Sequence, residues 1–219
     1  MVHRAFHCDD RWWLEGYLPP CYTQCVKNPR FDEKYFDRYY GAEPVRTMTE
    51  VSRLASAVHE LIGWWGGAIR SMLEIGAGPG DWSNWYRETH PEVRVLSTDV
   101  SVHACARYGH QRRDIADWAP RRPFDLVVCM DVLQYLDDRQ ASRALRNLAT
   151  ATRNCLYFDA LTSFDARHTV ERTATDLDAH LRDGEWYRKR LSRHFTQAGA
   201  GLWVRKSSNI VLHELERTR

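Results

Sequence analysis

The sequence predicts an α/β fold, in which a mostly parallel sheet is covered by helices on both faces. Four short apolar runs, at residues 71–75, 93–99, 124–131 and 155–160, have the length and composition of buried strands. Helix-compatible sequence follows each run, and strands that alternate with helices form parallel sheets. The chain has 219 residues, which suits one domain with an ordinary core.

An amphipathic helix is predicted ahead of the first strand. Apolar residues recur there at intervals of three and four, which is the pattern of a helix with one buried face. The residues of this stripe are Val45, Met48, Val51, Leu54, Val58, Leu61, Ile62 and Trp65. Gly66 and Gly67 follow directly, and glycine commonly lies just beyond a helix end, so we expect the helix to end there.

Three further helices are predicted between and after the strands. Asp81 is the expected N-cap of a helix over residues 82–89, since aspartate is a preferred N-cap residue. Asp137 and Asp138 open the next helix, because acidic residues stabilise a helix N-terminus. The last helix is expected to carry one stripe of residues, formed by Tyr187, Leu191, His194, Phe195 and Ala198.

The end of the sequence predicts a β-hairpin at one edge of the sheet. Residues 199–206 and 209–216 each contain a short apolar run, and we expect them to be its two strands. Ser207 and Ser208 lie between the runs and form the predicted turn. The predicted order of elements is therefore a helix, four or five βα units and a closing hairpin.

The N-terminal segment, residues 1–43, is expected to form a helical cap that is separate from the main domain at residues 44–219. It is rich in aromatic residues, and Pro19 and Pro20 interrupt it. Such a composition is too apolar for a disordered tail. We therefore expect the segment to pack over the main domain as a lid.

Composition and charge argue against several classes of protein. Lys and Arg number 31 against 29 Asp and Glu, which gives a net charge of +2 and not the basic excess of a nucleic-acid-binding protein. No apolar run approaches the roughly 20 residues that cross a membrane, and the N-terminus lacks the apolar core of a secretion signal. We expect a cytoplasmic monomer or homodimer that acts on a small molecule, without a nucleic-acid or membrane partner.

A zinc site near the N-terminus is a weak alternative. Cys8, Cys21 and Cys25 lie close to His3 and His7 in the sequence. However, the cysteine spacing is C-x3-C, and no second tight pair follows it downstream. We therefore expect free thiols and no bound metal.

The stretch LEIGAGPGDW, residues 73–82, places a glycine-rich loop directly after the first strand. Gly76, Gly78 and Gly80 read G-x-G-x-G, whereas a dinucleotide-binding loop reads G-x-G-x-x-G. Glu74 lies two positions ahead of the loop, where a carboxylate would repel a pyrophosphate but is able to hold an ammonium group. The loop therefore argues against a nicotinamide-dependent dehydrogenase.

At these residues the chain resembles the class I S-adenosylmethionine-dependent methyltransferases. Their first motif is an acidic residue, one further residue and G-x-G-x-G, and Glu74, Gly76, Ala77, Gly78 and Gly80 match it. The resemblance spans roughly residues 49–216. It implies S-adenosyl-L-methionine as the cofactor. It also implies a Rossmann-like sheet of seven strands in the order 3-2-1-4-5-7-6, with the last strand antiparallel.

The resemblance implies further cofactor contacts downstream. Asp99 ends the second strand, 19 residues after the last loop glycine, where a carboxylate would accept from both ribose hydroxyls, with Val100 beside it. Asp114 would accept from the adenine amine while Ile115 packs on the ring, and Asp131 would line the methionine and substrate end. Capping of a helix by Asp99 and a plain surface position for Asp114 are the alternatives.

The acceptor site is expected in two segments outside the motifs, residues 1–40 and 161–190. Tyr39 in the first segment and His168 and His180 in the second are the candidate catalytic residues. Histidine titrates near neutral pH, which suits a base that removes a proton from the acceptor. The alternatives are that the tyrosines only pack and that the charged second segment is a solvated face.

The resemblance implies methyl transfer to O, N or C of a small polar metabolite, as in the bacterial tailoring enzymes of secondary metabolism. No Asn/Asp-Pro-Pro-Tyr motif follows the 124–131 strand, which argues against methylation of a nucleobase or glutamine amino group. One alternative is attack at another carbon of the sulfonium, by intramolecular cyclisation or aminocarboxypropyl transfer, with release of methylthioadenosine. Another is a non-catalytic module that only binds the cofactor.

Overall fold

A seven-stranded sheet forms the centre of the structure, a computed structural model that describes residues 30–42 and 44–216. The strands are β1 (Ser71–Ile75), β2 (Arg94–Asp99), β3 (Gln111–Arg112), β4 (Phe124–Met130), β5 (Thr152–Asp159), β6 (Phe195–Gly199) and β7 (Leu202–Arg205). Their order is β3-β2-β1-β4-β5-β7-β6. The first five pair in parallel, and β7 is antiparallel to both of its neighbours. The predicted strand order and antiparallel last strand are confirmed.

Helices cover both faces of this sheet. They are α1 (Glu33–Tyr40), α2 (Met48–Trp64), α3 (Asp81–Thr89), α4 (Val102–Tyr108), α5 (Asp138–Ala151), α6 (Asp165–His168) and α7 (Gly184–Leu191). Alternate residues of β1 point to opposite faces: Met72 packs in the core under α2 and α3, whereas Leu73 and Ile75 pack in the core under α5 and α7. The predicted two-faced α/β fold is therefore confirmed.

The helix ends follow local capping chemistry and correct two predicted boundaries. Helix α2 begins at Met48 and not at Val45, because Thr47 and Glu50 form a capping box there. Helix α3 begins at Asp81 itself. Its N-cap is Gly80, whose φ of 84° favours glycine, so the prediction of Asp81 as the cap was wrong by one residue.

The C-terminal hairpin lies earlier in the chain than predicted. Helix α7 ends at Leu191, and Phe195–Gly199, predicted to continue a helical stripe, is instead the strand β6 that pairs with β7. Ala200 and Gly201 connect the two strands with φ of 47° and 80°, the conformation of a tight hairpin turn. The predicted second strand, residues 209–216, is irregular and ends in a 3₁₀ turn at Glu214–Glu216.

A long connection joins β5 to α7 across residues 160–183, and only α6 is helical within it. Such long irregular connections in compact domains are usually functional additions. Arg182 fixes its end: the buried guanidinium donates to Asp138 Oδ1 at 2.7 Å and to the carbonyl of Leu133 at 3.0 Å. The connection is thereby held against the chain that leads from β4 into α5.

The described part of the N-terminal cap consists of residues 30–42, which include α1. Whether residues 1–43 act as a separate cap stays a prediction. The candidate zinc ligands, Cys8, Cys21, Cys25, His3 and His7, lie outside the described residues. Within residues 30–42 and 44–216, none of the helices combines the length and apolar character that a membrane crossing requires.

Candidate functional site: a two-chambered cleft at the strand ends

The cleft opens at the carboxyl ends of β1, β2, β4 and β5, where ligands bind in open parallel sheets. It has two adjacent chambers, which we name the Asp99 cavity, of about 550 Å³, and the Arg46 cavity, of about 440 Å³. The residues that line both are Tyr35, Tyr40, Gly76, Asp131 and Tyr135. One extended ligand is therefore able to span both chambers.

The glycine loop forms the floor between the two chambers. Gly76 and Gly78 have φ of 63° and 56°, which L side chains rarely adopt. A Cβ at Gly76 would also overlap the side chain of Val132, so only a residue without a side chain fits here. Gly80 lines neither cavity and serves instead as the N-cap of α3.

Asp99 holds the loop in place while it faces the Asp99 cavity. Its Oδ2 accepts from the Gly78 N–H at 3.0 Å, and its Oδ1 accepts from the Ser101 N–H at 2.8 Å. Burial raises the pKa of this carboxyl, although these bonds favour its charged form. The alternative that Asp99 caps the helix does not hold, because Ser101 is the N-cap of α4.

Three more predicted cofactor residues line the Asp99 cavity, namely Val100, Asp114 and Ile115. Asp114 Oδ1 accepts from the N–H of Ala116 at 2.8 Å, which fixes the carboxylate. Ile115 is buried, and its carbonyl accepts from Asn147 at 2.7 Å. The structure thus brings these residues together with Asp99 around one chamber.

Glu74 lies on the other side of the glycine loop and lines the Arg46 cavity together with Ala77. Its Oε2 accepts from the Ser83 N–H at 3.0 Å and from the Ser83 hydroxyl at 2.5 Å. Burial raises the pKa of Glu74 to about 7, and the Ser83 bonds oppose that shift. No described cation forms an ion pair with it, so an ammonium group would be a favourable partner.

Asp131 stands at the junction of the two chambers, just beyond β4. Its φ of 55° lies in the left-handed region, an uncommon conformation that is concentrated at functional sites. Its Oδ2 accepts from Arg46 Nη1 at 2.5 Å, and its Oδ1 accepts from Gln134 Nε2 at 3.2 Å. The side chain is therefore held by partners from two different connections.

Arg46 is a site residue that sequence reasoning missed. Its guanidinium bridges Asp131 and, at 3.2 Å, Asp159, which ends β5. Nothing near Arg46 in the sequence marks it, since it stands in the irregular stretch before α2. Asp159 had a usable signal, because it is a carboxylate at the carboxyl end of a predicted parallel strand.

Helix α1 forms one wall of the cleft. Tyr35, Tyr39 and Tyr40 line the Arg46 cavity, and the hydroxyl of Tyr35 lies 3.0 Å from that of Tyr135. The segment ahead of α1 is also tied down, because Arg30 pairs with Asp176 at 2.7 Å. The described part of the cap therefore packs beside the cleft, and its action as a lid stays a prediction.

The candidate catalytic residues are not all in the cleft. Tyr39 lines the Arg46 cavity, whereas His168 and His180 are exposed and line neither chamber. The backbone N–H of His180 donates to the carbonyl of Gln134, and the ring of His168 packs on Phe164. The connection from β5 to α7 reaches the Arg46 cavity through other residues, which are Ala160, Leu161, Asp165, Thr169, Val170, Thr175 and Asp176.

Two comparisons of sequence place part of the chain among methyltransferases. Residues 73–154 match the family described as a methyltransferase domain. Trans-aconitate 2-methyltransferase from Azoarcus sp. (strain BH72) is 29% identical over 75 residues, which are 31% of this chain and 30% of that protein. The match thus covers less than a third of that relative's length.

Solved structures share the fold over more of the chain. Magnesium protoporphyrin IX methyltransferase from Synechocystis PCC 6803 superposes with a TM-score of 0.55 at 17% identity, over 80% of this chain and 96% of that one. The N-methyltransferase NodS from Bradyrhizobium japonicum WM9 does so with a TM-score of 0.52 at 20% identity, over 73% and 87%. At these identities the likeness shows the fold alone, and it agrees with the fold expected from the glycine loop.

Proposed function

We propose that this chain, which belongs to the class I S-adenosylmethionine-dependent methyltransferase superfamily, transfers the methyl group of S-adenosyl-L-methionine to an O, N or C atom of a small polar metabolite. One observation carries the proposal. Glu74 and Asp99 flank one glycine loop, in two chambers that share a wall. A carboxylate on each side suits a ligand with an ammonium at one end and a ribose diol at the other.

The cofactor's adenosine is assigned to the Asp99 cavity. Asp99 would accept from the ribose hydroxyls, Asp114 would accept from the adenine amine, and Val100 and Ile115 would pack on the ring. Gly76, Ala77 and Gly78, which line the chambers, would lie along the cofactor's middle, whereas the predicted contact of Gly80 stays a prediction of the sequence. The lining of the chamber supports this assignment, because it combines apolar walls with a small number of acceptors.

The methionine end is assigned to the Arg46 cavity. Glu74 would hold the ammonium group, and Asp131 would lie near the sulfonium at the junction of the chambers. Trp82 lines the same cavity, and its buried indole N–H has no partner among the described residues. That N–H would donate to the cofactor's carboxylate, so a buried acceptor and a buried donor both gain partners.

The bound cofactor would supply a methyl carbon that its sulfonium has already activated. The chain's own residues then have to align the acceptor and accept a proton from it. Tyr39 is placed to contact an acceptor, since it lines the Arg46 cavity. His168 and His180 stay predictions of the sequence, because their exposed positions give them no contact with either chamber.

The relatives support methyl transfer, but they do not identify the acceptor of this chain. One is named for trans-aconitate, one for a magnesium porphyrin and one is an N-methyltransferase. These names do not agree on one acceptor, so the acceptor has to be argued from this chain's own cavity. Secondary metabolism, cytoplasmic location and a monomeric or homodimeric state likewise stay predictions of the sequence.

Thermal denaturation with added ligand tests the cofactor assignment. S-adenosylhomocysteine and S-adenosylmethionine should raise Tm, because a ligand that binds only the native state stabilises it, and NAD should not. Asp99→Ala should remove most of that rise, whereas Asp183→Ala, an exposed position outside both cavities, should keep it. A rise with NAD alone would overturn the proposal.

Product analysis separates methyl transfer from the alternative chemistry. Methyl transfer releases S-adenosylhomocysteine, whereas cyclisation or aminocarboxypropyl transfer releases methylthioadenosine. We expect the first product when a cell extract supplies the acceptor. Release of methylthioadenosine would favour the alternative, and a protein that binds the cofactor without turning it over in any extract would be a binding module.

A further inference from the structure

The Arg46 cavity carries much more negative than positive charge. Among the described residues, six carboxylates line it and Arg46 is the only cation in its lining. The carboxylates belong to Glu74, Asp81, Asp131, Asp159, Asp165 and Asp176. The chain as a whole has a net charge of +2, so this acidity is a local property of the cavity.

The proposed cofactor accounts for only part of this charge. Glu74 and Asp81 lie beside the glycine loop and face the cofactor's methionine end. The other four carboxylates lie farther along the wall, where Arg46 pairs with Asp131 and Asp159, and Arg30 pairs with Asp176 from outside the lining. The proposed sulfonium also lies near Asp131, but four carboxylates against two arginines and one sulfonium still leave negative charge for a second ligand to neutralise.

Asp165 is the clearest example of a carboxylate in this cavity whose charge is not neutralised. Its Oδ2 accepts from the backbone N–H and the hydroxyl of Thr162, and its Oδ1 accepts from Thr169 at 3.1 Å. None of the ion pairs among the described residues includes it. Asp165 is therefore a fixed carboxylate in the cavity wall that has donors but no cation.

Gln134 supplies a second, independent observation. The residue is 2% exposed and lines the cavity, and its Oε1 has no hydrogen-bond partner in the described part of the chain. Its Nε2 donates to Asp131, so a flipped amide would set its oxygen against a carboxylate. Oε1 is thus fixed as an acceptor, and a buried acceptor calls for an N–H or O–H donor.

Aromatic rings complete the wall. Tyr35, Tyr39, Tyr40, Trp82 and Tyr135 line the Arg46 cavity. The face of an aromatic ring attracts a cation, most strongly where water is displaced. Negative charge, an unpartnered acceptor and ring faces therefore occur together, and each of them favours a cationic ligand that bears N–H groups.

We infer that the acceptor is a small primary or secondary amine, which enters the Arg46 cavity as an ammonium ion and is methylated on nitrogen. The inference rests on the proposed function and names the acceptor class that it leaves open. Asp165 and Gln134 would bind the ammonium N–H groups, and the tyrosines would pack around the cation.

The transfer balances with one proton released. The ammonium first gives up a proton, because the nitrogen needs its lone pair to react. The nitrogen then bonds to the methyl carbon, the bond from that carbon to sulfur breaks, and its electrons stay on sulfur. Asp159 is placed to take the proton, because it lines the Arg46 cavity and part of its side chain still reaches solvent. Burial and the neighbouring Asp131 carboxylate raise its pKa, and the ion pair with Arg46 opposes that shift.

A carboxylate acceptor fits the cavity poorly. Arg46 already bridges two carboxylates, so it has little charge left to offer an anion. An anion placed there would also face Asp165 and Asp176 across a partly desolvated space, where like charges repel strongly. The same lining that favours an ammonium therefore disfavours a polycarboxylate.

A panel of acceptors tests the inference with the full-length protein. Metabolite-sized amines are incubated with methyl-labelled S-adenosylmethionine beside the alcohol and the carboxylate of the same carbon skeleton, and products are identified by mass. We expect labelled products among the amines only. Label in an alcohol or carboxylate, but not in its matching amine, overturns the inference. So does a panel without any labelled amine, provided that S-adenosylhomocysteine still raises Tm. If it does not, the proposed function itself has failed.

Two variants then test the binding site. Asp165→Asn should raise KM for a methylated amine by about tenfold, with kcat within about twofold and the S-adenosylhomocysteine shift unchanged. Asp183→Asn, an aspartate of the same connection that bonds to Ser163 and lines neither cavity, should keep the wild-type KM. Gln134→Met, which removes the unpartnered oxygen, should also raise KM. An unchanged KM in both Asp165→Asn and Gln134→Met contradicts the inference.

Discussion

Glu74 shows how one buried carboxylate links folding to ligand binding. It is 5% exposed and lies in β1, an interior strand of the sheet that leads into the glycine loop. Burial raises its pKa to about 7 from an ordinary value of 4.5, so near neutral pH part of the ligand-free protein keeps it protonated. A cofactor ammonium would favour the charged form, and binding would therefore release a proton.

The affinity for S-adenosylhomocysteine should therefore rise with pH. Between the two pKa values the native state binds more protons than the unfolded chain, so the ligand-free protein loses stability as pH rises through this window. Ligand binding needs the ionised form, and Kd should fall about tenfold from about pH 6 to about pH 7.5. Calorimetric titration measures this, and Glu74→Gln should bind more weakly with a flatter pH profile. A wild-type Kd that does not change with pH would contradict the assignment of Glu74.

Gly76 and Gly109 allow a matched test of the loop geometry. Both have positive φ, at 63° and 77°, but a Cβ at Gly76 would overlap Val132, whereas a Cβ at Gly109 meets nothing within 4 Å. Gly109→Ala should lower the free energy of unfolding by about 1 kcal/mol, which is the cost of the strained backbone alone. Gly76→Ala should lower the free energy of unfolding by about 3 kcal/mol in total, because the Val132 side chain must also move. Urea unfolding measures both, and equal losses would mean that the Val132 contact is unimportant.

At the residue scale, sequence reasoning found the groups that belong to a motif and missed those that do not. Glu74 and Asp99 were predictable because their positions relative to the glycine loop match the motifs of the family that the chain resembles. Arg46 and Gln134 belong to no such motif: Arg46 comes from the stretch before α2, and Gln134 lies in the connection after β4, three residues beyond Asp131. His168 and His180 have the right chemistry for a base, but the folding of their connection leaves both exposed.

Among the elements, α1 has the clearest mechanical role in the cleft. Phe36 is its buried residue, and the ring lies 5.3 Å from that of His103 on α4 and 5.2 Å from that of Tyr40. Asp32 caps the helix by accepting from the Tyr35 N–H at 3.0 Å. An eight-residue helix is too short to be stable alone, so its order depends on this packing.

Phe36→Ala should therefore loosen α1 without disturbing the sheet. Hydrogen exchange should become about tenfold faster for the amides of α1 and stay unchanged for those of β1 and β4. Lys34→Ala, an exposed change on the same helix, is the control and should leave exchange unchanged. If Phe36→Ala leaves α1 fully protected, other contacts hold the helix against the cleft.

Helices and strands were predictable where the apolar residues followed one clear periodicity, either helical or extended. Strands β1 and β4 are apolar runs of the right length, and the α2 stripe follows a helical period, whereas the two polar residues of β3 gave no such signal. The prediction of a helix at Phe195–Gly199 was wrong, because Phe195 and Ala198 fit a helical stripe as well as a strand. The local sequence does not reveal which of the two periodicities applies. The strand conformation of this segment is determined by its pairing with β7 through the turn at Ala200 and Gly201.

Across the whole molecule, charge is distributed unevenly. The chain is almost neutral, with a net charge of +2, yet the Arg46 cavity gathers six carboxylates around one arginine in the described part of the chain. A cavity of one sign with low-dielectric walls concentrates ligands of the opposite sign. The proposed methyl donor is more positive than its product by one charge, so this field would distinguish the two.

S-adenosylmethionine should bind more tightly than S-adenosylhomocysteine at low salt. The extra sulfonium charge near Asp131 and Asp159 should favour it about threefold, and the ratio of the two Kd values should fall toward one at about 0.5 M salt, where charges are screened. Calorimetric titration at two salt concentrations measures the ratio. A ratio that does not depend on salt would mean that the cavity's charge does not reach the sulfonium.

The sequence by itself determined the α/β fold, the glycine loop and the carboxylates on either side of it. These features depend on residues that are close along the chain, where periodicity and spacing translate directly into geometry. Only the tertiary structure decided what surrounds the acceptor. Arg46, Gln134, Asp159 and Asp165 come from four separate connections or strand ends, and their shared cavity exists only after the sheet has brought them together.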